Sequence, residues 1–221
     1  MSVWSFDMPC IQVYGSNLDL TFIHIPKCAG TSMYLWMRKN KGKNRWYGWN
    51  GHPTLERMRQ DRPITRTLIT VRNPWDRVVS YYAMLQGIFN QSEFFQQHLI
   101  YKQWPEFKRF ILDLHSVWPD NCDLKWITTD LSLSQSASYF FYVIQDSQLS
   151  WLSGEEPDLV LRQESMEKDF AQVQDMFGCS EPLPVENTSD HADYRSYYDA
   201  ETRDIIACWH AADIERFNYD F

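Results

Sequence analysis

Apolar positions along the chain fall into short continuous runs separated by stretches with helical spacing. Residues 20–26 (LTFIHIP), 65–72 (TRTLITVR) and 158–162 (DLVLR) are short, apolar and rich in β-branched residues, the pattern of buried strands. Between them the period changes. In TSMYLWMRKN, Met33, Leu35, Trp36 and Met37 have helix-compatible spacing, and residues 53–60 predict a short helix. After the second strand, Asn73 reads as a helix cap and Pro74 as the first helical residue, with Val78, Val79, Tyr82 and Leu85 as the apolar stripe. Further helices are predicted over 91–101, 105–115, 164–177 (stopped by Gly178) and 199–217. Residues 116–136 read as loop, and 138–144 fit either strand or helix. Strands alternating with helices predict an α/β fold, three α/β/α layers around a mainly parallel central sheet. No repeat, low-complexity tract or linker divides the chain. A single domain is expected over residues 1–221, with 1–19 as an N-terminal extension.

Composition narrows the class. A hydrophobic share of 44% and a charged share of 23% are ordinary for a globular protein. The aromatic share of 16%, with ten Trp, fits an aromatic core or a site that stacks on a base or sugar. Cys10, Cys28, Cys122, Cys179 and Cys208 are scattered, with no C-x-x-C pair, which argues against a disulfide framework or a zinc site and for a reducing compartment. The first twenty residues contain no Lys or Arg and no continuous apolar run, so no signal peptide is predicted. No stretch approaches the roughly 20 apolar residues of a membrane span, and a cytoplasmic location is expected.

The net charge of −8 counts against general nucleic-acid binding. Yet residues 27–77 hold 12 of the 21 Lys+Arg against only Glu56, Asp61 and Asp76. A bounded positive segment in an acidic chain fits a small polyanion site or a basic solvated face.

Chemistry concentrates where the first two strands end. IPKCAGTS joins strand to helix, the geometry that presents backbone N–H groups and a helix dipole to an anion. It is not the nucleotide-triphosphatase loop, which needs G-x-x-x-x-G-K-[ST]. The amides from Cys28 through Ala29, Gly30 and Thr31 to Ser32 can converge on one phosphate. The Thr31 and Ser32 hydroxyls would add donors, Gly30 would allow close approach, and Lys27 stands at the lip. The second junction reads TLITVRNPWDRVVSYY. Arg72, at a strand's carboxyl end, offers a planar charged fork, and Ser80 lies about two turns into the next helix. Arg77 is open to three readings: a further phosphate contact, a salt bridge to Asp76, or a solvated position.

At these residues the chain resembles the sulfotransferases that use 3'-phosphoadenosine-5'-phosphosulfate (PAPS), particularly the carbohydrate (heparan/chondroitin-type) branch. The resemblance implies a P-loop-like fold in which P-K-x-x-G-T-[ST] grips the 5'-phosphosulfate. Lys27 would stabilise the bridging oxygen, while Arg72 and Ser80 hold the 3'-phosphate. It extends over DLVLRQESMEKDF and the segment from ENTSDHADY to the terminal Tyr-x-Phe, so it covers nearly the whole chain from Leu20 to Phe221. Residues 86–157 match little and are the expected acceptor-specificity region. Transfer of a sulfuryl group to a hydroxyl, here a carbohydrate's by the resemblance, needs a base, and in the relatives a Gly-His step between the two motifs supplies it. Gly51-His52 matches. Glu56, one turn on, could replace His52, orient it, or face solvent. His24 reads as a core or supporting histidine, and His98, His115, His191 and His210 as structural or exposed. Asn187 and Ser189 could border the donor, though a loop cap is simpler. No metal is implied, and the spent donor would be 3',5'-ADP. A P-loop-type kinase is disfavoured by the missing G-x-x-x-x-G-K-[ST] and metal-holding Asp, and an inactive nucleotide-binding module by intact Lys27 and His52.

Overall fold

The computed structural model describes residues 10–13, 20–40, 42–45, 52–61, 63–91, 104, 106–117, 143–186 and 190–221. In chain order the elements are β1 (Cys10–Val13), β2 (Leu20–Ile23), α1 (Gly30–Lys39), β3 (Gly42–Arg45), α2 (Leu55–Arg59), β4 (Arg66–Val71), α3 (Pro74–Gln91), α4 (Phe107–Val117), β5 (Leu159–Arg162), α5 (Met166–Phe177), α6 (Ala200–Trp209) and α7 (Ala211–Phe217). They group into two compact units, Met1–Asn73 with Gln148–Thr188 and Pro74–Ser147 with Ser189–Phe221.

The first unit holds the whole sheet, in the order β3-β1-β2-β4-β5. β2, β4 and β5 are parallel neighbours, and β1 pairs antiparallel with both β2 and β3. The parallel three-stranded sheet flanked by helices is the α/β arrangement that the pattern predicts. Two strands went unpredicted. β1 lies inside the expected extension, and β3 has the polar sequence GKNR, which shows no alternation. Pairing makes β3 a strand: all four of its residues ladder onto β1, from Cys10↔Arg45 to Val13↔Gly42.

One sheet face forms a core with α1 and α5, where Leu20, Phe22, Leu68 and Leu161 meet Met33, Trp36, Met37, Phe170 and Val173. Trp36 stands edge-on to Phe170 (4.9 Å) and Phe177 (5.0 Å). Its indole N–H, which burial would otherwise leave unpaired, donates to the Glu181 carbonyl at 2.8 Å. On the other face Ile23, Ile69 and Val71 are also fully buried. Burial on both faces is why these strands read as continuous apolar runs. α5 ends where predicted, with Gly178 left-handed at φ 60°.

In the second unit the α3 stripe Val78, Val79, Tyr82 and Leu85 is buried as expected. The terminal Phe221 packs edge-on against Trp75 (5.4 Å) and Tyr198 (5.6 Å), so the closing Tyr-x-Phe is a packing feature. The single helix predicted over 199–217 is instead two. It starts at the capping box of Asp199 and Thr202, then breaks at His210. The buried His210 donates through Nε2 to the Ile144 carbonyl at 3.0 Å, an anchor that holds its backbone off helical geometry. Most of the helix predicted over 91–101 and of the loop over 116–136, together with Gly51, His98, Cys122, Asn187 and Ser189, lies outside the described residues.

Candidate active site

Because β2 and β4 are parallel and adjacent, with Ile23 beside Ile69, their carboxyl ends open on one sheet edge. Open α/β sheets take their ligands at such an edge. Past β2 the chain enters a strained turn. Lys27 and Ala29, on either side of Cys28, are both left-handed, at φ 66° and 57°. Non-glycine residues rarely adopt this conformation, and it concentrates at functional sites. Alternating handedness turns successive N–H groups inward as an anion-binding concavity. α1 follows at once. Its N-cap, Ala29, brings no side-chain acceptor, and its first turn has no acidic residue, so neither competes with an anion for the first-turn amides.

The glycine of this turn has a reason that sequence reasoning missed. A Cβ on Gly30 would lie 1.8 Å from His24 Cδ2 and 1.9 Å from Nε2. The buried His24 ring therefore excludes any side chain at position 30. Ser32 is buried too, and its hydroxyl accepts from the Glu186 N–H at 3.1 Å while keeping its own proton to donate. Thr31 is half-buried.

Electrostatically the turn is poised for negative charge. Burial, and next the charge of Arg72, brings the half-buried Lys27 ammonium down to about 8, with Cys28 opposing. Arg72 is itself buried, and its Nη1 donates to the Lys27 carbonyl at 3.4 Å. Of the other described cations in the basic segment, Arg38, Lys39, Arg57, Arg59 and Arg66 are exposed. Exposure fits the solvated-face reading for those five, whereas Lys27 and Arg72 stand at the two strand ends. Arg77 is not at a solvated position. It is buried in the second unit and donates to the carbonyls of Val143 and Asp146, both at 2.9 Å, which makes it a structural cation there.

His52 is half-buried, and its ring lies 4.4 Å from that of His24. His24 also stacks on Phe22. Its pKa is pushed well below the usual imidazole range, first by burial and then by the charges of His52 and Lys27. The Trp151 indole N–H donates to the His52 carbonyl at 3.1 Å. Thr54 caps α2, and Glu56 on that helix is exposed, in line with its solvent-facing reading. Ser80 sits on α3 in the second unit and is buried.

A model of the sulfotransferase family matches residues 14–220. The chain belongs to the sulfotransferase family. No curated protein and no solved structure matched it. In this sulfotransferase the described residues include no group of three or more His, Cys, Asp or Glu placed to hold a metal ion. Among the described residues no helix is long and apolar enough to cross a membrane. Three further side chains support the site: Glu164, from the DLVLRQESMEKDF segment, and Gln148 and Trp151, which no motif announced. Gln148 bridges Arg72 and Cys28, Trp151 holds His52, and the Glu164 carboxylate accepts from the Asn73 N–H at 2.5 Å just beyond β4.

Proposed function

We propose that this sulfotransferase uses PAPS as donor and a carbohydrate hydroxyl as acceptor, with His52 as the base. The observation that carries the reading is the left-handed turn at Lys27 and Ala29, with the buried Arg72 guanidinium of the neighbouring strand end donating to the Lys27 carbonyl. Two cations held together at the mouth of a left-handed turn suit a ligand bearing two separate phosphates. When bound, the donor supplies the sulfuryl group and a phosphate leaving group. The amides of Cys28, Ala29, Gly30, Thr31 and Ser32 would hold the 5'-phosphate end. Lys27 would place its charge against the bridging oxygen as negative charge develops there. Arg72 and Ser80 would take the 3'-phosphate. A ring nitrogen of His52 would accept the acceptor hydroxyl's proton as that oxygen attacks in line. We assign acceptor choice to residues 86–157, and read the chain as one sulfotransferase domain working in a reducing, cytoplasmic setting.

The test is sulfur-labelled PAPS offered with a panel of sugars, glycolipids and phenols. Label on carbohydrate, falling about 10²–10⁴-fold in His52→Ala while 3',5'-ADP binding holds, is the expected result. Label on phenols alone overturns the acceptor class. No transfer to any hydroxyl acceptor overturns the reading.

A further inference from the structure

Gln148 opens a 3-10 turn, Gln148–Leu152, and is fully buried. Its carboxamide hydrogen-bonds to both strand ends. Nε2 donates to the Arg72 carbonyl at 2.9 Å, while Oε1 accepts from the Arg72 N–H at 2.9 Å and from the Cys28 thiol at 3.1 Å. The first two imitate strand pairing. The β4–β5 ladder ends at Val71↔Arg162, and one side-chain amide satisfies the next residue's backbone as a further strand would. The third reaches the middle of the strained turn, between left-handed Lys27 and Ala29. One oxygen thus ties the two strand ends together. From the same 3-10 turn, Trp151 holds the His52 carbonyl.

We propose that Gln148 is a positioning residue that locks the Lys27 turn and the Arg72 strand end into one preorganised anion site, an inference that rests on the donor reading above. The chemistry requires an amide. A carboxylate has no donor for the Arg72 carbonyl and would set negative charge between the two phosphate grips, and an aliphatic chain satisfies neither backbone group. With Gln148 in place both grips are ordered before a ligand arrives. Without it, any phosphate ligand must order them, and that cost falls once on each ligand whichever phosphate it carries.

Calorimetric titration of the full chain with 5'-AMP, 3'-AMP and 3',5'-ADP tests this. In Gln148→Met all three should weaken by the same factor, about tenfold. Arg72→Ala, by contrast, should weaken only the two ligands with a 3'-phosphate. Should Gln148→Met not fold, Gln148→Asn, which keeps an amide but shortens its reach, takes its place and should weaken all three ligands alike. Loss confined to one monophosphate, or unchanged affinity with only a lowered Tm, overturns the proposal. Wild-type protein that gains no affinity from the 3'-phosphate refutes the donor reading itself, and the proposal falls with it.

Discussion

Ligand binding at the Lys27 turn should draw a proton from solution, and the amount follows from the site. Burial and Arg72 lower Lys27 from 10.5 to about 8, a preference for the neutral amine of about 3 kcal/mol. A phosphate dianion against the ammonium acts in the opposite direction and restores the charged form. Binding therefore takes up a proton wherever free Lys27 is neutral and bound Lys27 is charged. At pH 9 the free amine is about 90% neutral, so nearly one proton should enter per 3',5'-ADP, against about 0.1 at pH 7. The ligand's own second phosphate ionisation, near pH 6, is complete by then. Calorimetry at both pH values in buffers of different ionisation enthalpy reads the proton count directly. Equal uptake at pH 7 and 9, or uptake at pH 9 that survives in Lys27→Met, would refute the reasoning. The ligand-free protein carries the complementary signature. Its folded pKa is the lower one, so the unfolded chain holds more protons between about 8 and 10.5, and stability rises with pH across that window.

Three further outcomes are expected. Gly30→Ala should lower stability by about 1–3 kcal/mol, because the new Cβ meets the buried His24 ring, and an unchanged thermal midpoint contradicts this. Burial lowers the pKa of both His24 and His210, in the second case against the opposing Asp213 carboxylate, so below the usual 6.5 the unfolded imidazoles take up protons more readily than the folded ones. Urea unfolding should thus show stability falling by up to about 1.4 kcal/mol per pH unit for each histidine below 6.5, and a flat profile down to pH 5.5 contradicts it. Trp36→Phe removes the donor to the Glu181 carbonyl and should destabilise by about 1–3 kcal/mol in the same assay, with no change in 3',5'-ADP affinity.

Much of this was readable from residue order alone, because the governing physics is local. A strand buried on both faces needs a continuous apolar run, and a strand-to-helix turn needs its Lys, Gly and hydroxyl residues side by side. That made β2, β4 and β5 and the Lys27–Ser32 turn legible, along with the place of Arg72 at the end of β4. Other features depend on tertiary partners. β3 is a strand only because β1 lies beside it, and α6 and α7 separate because His210 reaches the Ile144 carbonyl. Gly30 looked like an opening for phosphate, whereas the His24 ring sets the tightest limit there. Gln148 is the strongest case. It lies 76 residues from Arg72 and 120 from Cys28, and a lone glutamine with no motif around it gives no sign that it joins them.

A crystal structure of the protein with 3',5'-ADP bound tests the central claim most directly. The account predicts the 5'-phosphate on the amides from Cys28 to Ser32 with Lys27 alongside, and the 3'-phosphate against the Arg72 guanidinium. A nucleotide seated elsewhere, or one whose 3'-phosphate avoids Arg72 while the 5'-phosphate occupies the turn, would contradict it.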